Sequence, residues 1–66
     1  MASVGLGVSE IRVRESSGAY RVIYVAKFSE AIYVLHAFEK KARKTPKAEI
    51  ELARKRYRAV LSERRL

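Results

Sequence analysis

Glu39-Lys40-Lys41-Ala42-Arg43-Lys44-Thr45-Pro46 separates two halves of the chain that follow different periods. Before it, apolar and polar residues alternate in twos. After it, apolar residues recur at spacings of three and four. The stretch is a basic loop at the rim of a strand, and its last two residues start a helix.

The helix reading rests on several independent signals. Thr45 is an N-cap residue, and Pro46 suits the first helical position, where its missing N–H has no intrahelical partner to lose. Glu49 and Glu51 lie near the positive end of the helix dipole, and Arg64 and Arg65 near the negative end. Ile50, Ala53, Tyr57, Val60 and Leu61 form an apolar stripe suited to packing on a sheet. At 1.5 Å per residue the span 46–64 would run about 28 Å, longer than a short three-stranded sheet is wide, so its end is expected to project. Ala48, Leu52 and Ala59 lie about 160° to 200° from Ile50 and form a thin second apolar line. That line reads either as ordinary helix surface or as a contact with a second chain.

Upstream, three strands are expected. In Val8–Arg14, Ile11 and Val13 lie opposite Glu10, Arg12 and Arg14, the period of a half-exposed strand. Glu15-Ser16-Ser17-Gly18 reads as a turn. Ala19–Phe28 puts Tyr20, Val22 and Tyr24 on one face and Arg21, Ile23 and Val25 on the other, so it reads as covered on both sides. After the short connection Ser29-Glu30, Ala31–Phe38 sets Ile32, Val34, His36 and Phe38 against Tyr33, Leu35 and Ala37. Short turns between strands predict an antiparallel meander. The fold class is therefore α+β, a three-stranded antiparallel meander followed by one long C-terminal helix, in a single domain over residues 1–66.

Charge is uneven along this chain. Residues 1–38 hold four basic and three acidic side chains, and residues 39–66 hold eleven and four, so the second half carries +7 of the formal +8. A one-sided cationic field attracts nucleic acid, an acidic protein or an anionic membrane surface, and makes association salt-dependent. A 66-residue domain buries only about 60% of its unfolded surface. Without cysteine, neither a disulfide nor a thiolate metal site can staple it, which leaves oligomerisation as the available support. No apolar run approaches a membrane span, and Met1–Gly7 is too short for a signal peptide, so a cytoplasmic protein is expected.

Catalytic constellations are sparse. There is no aspartate, the glutamates are scattered, and His36 is the sole histidine, so neither a metal cluster nor a Ser-His-acid triad assembles locally and no cofactor is expected. Cleavage of RNA is still compatible with this inventory. The 2′-hydroxyl is an internal nucleophile, and the protein need only align it and stabilise charge on the phosphate. His36 has the pKa range of a general acid or base, set against a packed residue sharing strand parity with Val34 and Phe38. Tyr57 falls in the packing stripe. Tyr20, Tyr24 and Tyr33 read either as base-stacking platforms or as sheet packing.

Three stretches carry a family resemblance: Ser17–Tyr24, Tyr33–Lys41 and Lys44–Ala53. Together, from about Val8 to Tyr57, they resemble the phage-derived HigB-like toxins of the RelE/ParE superfamily. The resemblance implies the toxin of a type II toxin–antitoxin pair, a metal-independent messenger-RNA endonuclease working on the ribosome and held inactive by an antitoxin. It implies catalytic roles for Arg21 and Lys41, with His36 as a further candidate. It also implies RNA-backbone contacts for Lys40, Arg43 and Lys44. Such toxins usually begin with a first strand and a helix pair that cover one sheet face, and this chain lacks them. A truncated RelE-like fold with a bare apolar face is therefore expected, self-associating through that face, a sheet edge or the Leu52 line. The alternative function is a non-catalytic binding module for antitoxin or RNA. Gyrase inhibition, as in the ParE branch, fits the Lys44-Thr45-Pro46 helix start less well.

Overall fold

The computed structural model of the chain describes residues 1, 3–41 and 43–64. Ala42 of the basic loop and Arg65 of the expected helix end lie outside the described residues. Strands β1 (Val8–Glu15), β2 (Gly18–Val25) and β3 (Tyr33–Glu39) precede helix α1 (Lys47–Arg64). The strands form one antiparallel sheet in the order β1-β2-β3, the expected meander. Only Ser16 and Ser17 join β1 to β2, because Glu15 and Gly18 already pair. Gly18 takes a φ of 148°, which a residue with a Cβ rarely adopts.

Helix α1 lies on one face of the sheet. Val4, Val8, Ile23, Val25, Leu35, Ala53 and Tyr57 are the buried core, with Phe28, Tyr33, Phe38, Ile50, Val60 and Leu61 packed against it. The predicted stripe is thus the packed one. Ala53 is fully buried, and its small side chain suits a close approach of helix to sheet. On the opposite line Ala48 and Ala59 are exposed and Leu52 is half-buried.

Coverage of β2 on both faces is not observed. Ile23 and Val25 lie under the helix and Arg21, on the same face, under the basic loop, while Tyr20, Val22 and Tyr24 are only half-buried on the other side. Cross-strand pairing aligns these with Ile11 and Val13 of β1 and with Val34 and Ala37 of β3. Ile11 is 48% and Val34 64% exposed. One sheet face is therefore bare.

The parity assigned to β3 also needs correction. Tyr24 pairs with Val34 but Ile23 pairs with His36, so the ladder slips between them and Leu35 is the extra residue. A bulge sets two residues against one and restarts the alternation. Val34 therefore faces out, whereas Leu35, His36 and Phe38 serve the helix side.

Two connections were read too simply. The β2–β3 link spans residues 26–32 and carries Phe28 into the core margin. Beyond it Glu30 accepts from Arg64 Nη2 at 3.0 Å and from Arg64 Nε, and the Arg64 guanidinium lies 3.7 Å from the Phe28 ring centroid. These contacts tie down the helix end that was expected to project. Hydrogen bonds from Arg64 hold the Glu30 carboxyl well below its ordinary range, at about 2. At the other end, Val4 enters the core, Tyr57 donates to the Leu6 carbonyl at 2.9 Å and Arg54 donates to the Ser3 carbonyl. Residues 3–7 thus pack along α1, although their sequence has no periodicity.

Candidate nucleic-acid interface

The basic loop leaves the sheet under control. Its first residue, Lys40, donates from its backbone N–H to the Ala19 carbonyl at 2.8 Å, which extends the pairing of β3 with β2 by one residue. At its far end the carbonyl of Pro46 accepts from Ile50 at 3.2 Å and so begins the helix. Helix α1 therefore starts one residue later than predicted.

Thr45 serves a different purpose from the predicted cap. Its hydroxyl accepts from Arg21 Nη1 at 3.0 Å and donates to Glu10 Oε2 at 3.1 Å. Arg21 stands on the central strand and is 3% exposed. Its Nη1 also reaches Glu10 Oε1 and Oε2, each at 3.2 Å, and Nη2 donates to the Arg43 carbonyl. A guanidinium cannot shed its charge, so its burial requires an anion and acceptors around it. Glu10 supplies the anion from β1. The carbonyl and hydroxyl come from the loop. Arg12, which pairs directly with Arg21 across the strands, adds a like charge that Glu10 offsets at 3.8 Å. The arrangement fastens the basic loop to the sheet from below.

Above this fastening the cations are differently placed. Lys41, Arg43 and Lys44 are exposed and Lys40 is half-buried. Lys40, Lys41 and Arg43 with Ala19 line a hollow of about 390 Å³. Lys44 lies beside it on the loop, outside its lining. Among the described residues, no carboxylate lies within ion-pair range of these four cations. Unpaired cations on a loop whose backbone is held can bind phosphate oxygens and stabilise added negative charge.

His36 lies apart from this hollow, between β3 and α1. Its Nε2 is 2.9 Å from Glu49 Oε2, and its Nδ1 is 3.0 Å from Arg56 Nη1. An arginine N–H only donates, so Nδ1 accepts and Nε2 carries the proton given to Glu49, an assignment that follows from the network. Arg56 Nη1 also donates to the Leu35 carbonyl at 3.0 Å. The ring stacks on Phe38 with centroids 5.1 Å apart and planes at 22°. Both nitrogens of the imidazole are thereby engaged in joining helix to strand.

Of the predicted residues, Lys40, Lys41 and Arg43 come together, Arg21 lies beneath them and His36 is separate. From the sequence Glu49 is expected only at the positive end of the helix dipole, and Glu10 and Arg56 carry no expected site role. A cation inside an apolar strand signalled a buried acid on a neighbouring strand, and Glu10 was within reach of that reasoning. Among the described residues no three His, Cys, Asp or Glu side chains converge to hold a metal ion, and no helix is long and apolar enough to cross a membrane. Compared with known proteins, residues 1–58 match the phage-derived protein Gp49-like (DUF891) family. No curated protein and no solved structure matches the chain.

Proposed function

Because the chain belongs to the Gp49-like family of phage-derived proteins, we propose that it is the toxin of a toxin–antitoxin pair, related to the HigB-like toxins, and acts on messenger RNA at the ribosome through residues 40–46. The observation that carries this reading is the hollow of Lys40, Lys41 and Arg43, unpaired cations on a loop that Arg21 fastens. Preorganised charge of this kind stabilises a phosphorane without reorganisation during the reaction. The 2′-oxygen attacks the adjacent phosphorus in line, the P–O5′ bond breaks, and water carries the protons. Lys41 stabilises the phosphorane, and Lys40, Arg43 and Lys44 hold neighbouring phosphates. The burial of Arg21 and the two engaged ring nitrogens of half-buried His36 support positioning roles, the first for the loop and the second for the helix start.

Expression of the chain and of Lys41→Ala, with growth and messenger-RNA cleavage followed in parallel, tests this reading. Growth arrest and cleavage that vanish in the variant support it, and arrest that persists refutes the site. Affinity for single-stranded RNA should fall with salt at a log–log slope of about −0.7 per phosphate held, hence about −3 for the four cations.

The bare sheet face favours a second reading, a non-catalytic binding module. Under it the chain binds RNA without cleaving it, and the apolar face is covered by antitoxin or by a second copy. Light scattering that returns only the 7.6 kDa monomer would remove the second copy.

A further inference from the structure

The hollow that adjoins the cation hollow is built differently. Lys41 stands in the wall common to both, and Phe38, Glu39, Pro46 and Glu49 complete a space of about 360 Å³. The Phe38 and Pro46 rings and the Glu49 carboxylate thus share a space with Lys41 in the most cationic part of the chain, while the Glu39 carboxylate lies toward Gly18 on the other sheet face. Carboxylates repel phosphate and only accept hydrogen bonds, so the occupant of this space is not a second phosphate. An aromatic ring beside a phosphate-binding wall suits a nucleobase, since every base presents a π-face.

The Glu49 carboxylate then decides which base fits. Two oxygens of one carboxylate take two parallel N–H donors. Among the RNA bases, guanine offers such a pair on its Watson–Crick edge, N1–H and the N2 amine. Adenine and cytosine present one amine there, and uracil one imide N–H. Glu49 is the better placed acceptor. Its side chain is 26% exposed, and His36 Nε2 fixes Oε2 at 2.9 Å. The same imidazole stacks on Phe38, so one side chain orients both the reading carboxylate and the aromatic wall.

We infer that this cleft is a base pocket selective for guanine, reading the nucleotide whose phosphate lies against Lys41, the residue common to both hollows. Glu49 is the reading residue and His36 its positioning residue. The inference rests on the RNA-binding reading above and deepens it by assigning a base preference to the same site.

Fluorescence anisotropy with the full chain tests it. The probes are a labelled oligouridine and the same oligomer carrying one central guanosine, adenosine or inosine. Guanosine should bind about tenfold tighter than uridine, the scale of a bidentate base contact. Inosine lacks the N2 amine and should fall between them, a comparison that needs no altered protein. Glu49→Gln retains an acceptor for His36 and should reduce the guanosine-to-uridine ratio to about twofold, with circular dichroism confirming the fold. Equal affinity for all four oligomers, with salt dependence kept, overturns the pocket and leaves the phosphate site standing. An undiminished ratio in Glu49→Gln overturns the role of Glu49. Absence of binding to any oligomer overturns both readings.

Discussion

Replacing Arg21 by methionine keeps the aliphatic stem and deletes the guanidinium that joins β1, β2 and the loop. The Glu10 side chain, 16% exposed, then keeps, among the described residues, the Thr45 hydroxyl and the distant Arg12 as partners. The Arg43 carbonyl loses the Arg21 donor. Breaking a buried ion pair from one side costs about 3–5 kcal/mol, and the residual exposure of Glu10 places this case near the lower end, at about 3 kcal/mol. A chain of this length has a total stability of about 3–10 kcal/mol, so the loss is between a third and all of it. Urea denaturation followed by circular dichroism measures the cost. Because the pair is buried, the cost should be nearly the same at low and high salt. The double variant Glu10→Leu/Arg21→Met removes both charges and should recover about 2 kcal/mol relative to Arg21→Met. A single-variant cost below about 1 kcal/mol, or strictly additive costs in the double variant, would refute the argument that Arg21 holds the loop.

Three further outcomes are expected. The Glu30 carboxyl has a folded pKa of about 2, below its unfolded value. Between these values the unfolded chain binds more protons, so the contribution is complete above about pH 5 and is lost as pH falls toward 2. Protection of the last-turn amides of α1, measured against their intrinsic exchange rates, should fall over that window, less so in high salt, and Glu30→Gln should remove this pH dependence; an unchanged protection profile in that variant contradicts the assignment. His36→Ala deletes one part-buried and one exposed hydrogen bond at the helix–strand joint and should cost about 1–3 kcal/mol, lowering the melting temperature by at least about 4 °C. Gly5→Ala would set a Cβ 2.3 Å from Tyr57 Cε2 and 2.6 Å from Cδ2, overpacking a buried ring. Its expected cost is about 1–3 kcal/mol by the same melting assay, and an unchanged transition would show that residues 3–7 do not pack on Tyr57 in solution.

The architecture was legible because each element carried its own period. Alternation located three strands, and the Ile50–Leu61 stripe named the packed side of the helix. The bulge at Leu35 escaped because counting by twos contains no sign of one inserted residue. The docking of Val4 escaped because it depends on where Tyr57 lies, far along the chain. In the candidate site the cation cluster was visible as local composition, whereas the burial of Arg21 was not. Its acceptors come from two separate parts of the chain, Glu10 from β1 and Arg43 and Thr45 from the loop.

That dispersal bears on the order of folding. The β1–β2 hairpin closes over a two-residue loop and gains Glu10 and Arg21 together, but Thr45 and the Arg43 carbonyl arrive only when the later segment returns across the sheet. Contacts of high sequence separation carry the larger loop-closure entropy and tend to form late. Thr45→Val should therefore speed unfolding and leave the refolding rate nearly unchanged, with a φ-value near zero. In this view the hairpin nucleates with its charge pair still hydrated. Docking of the basic loop is the step that completes its desolvation.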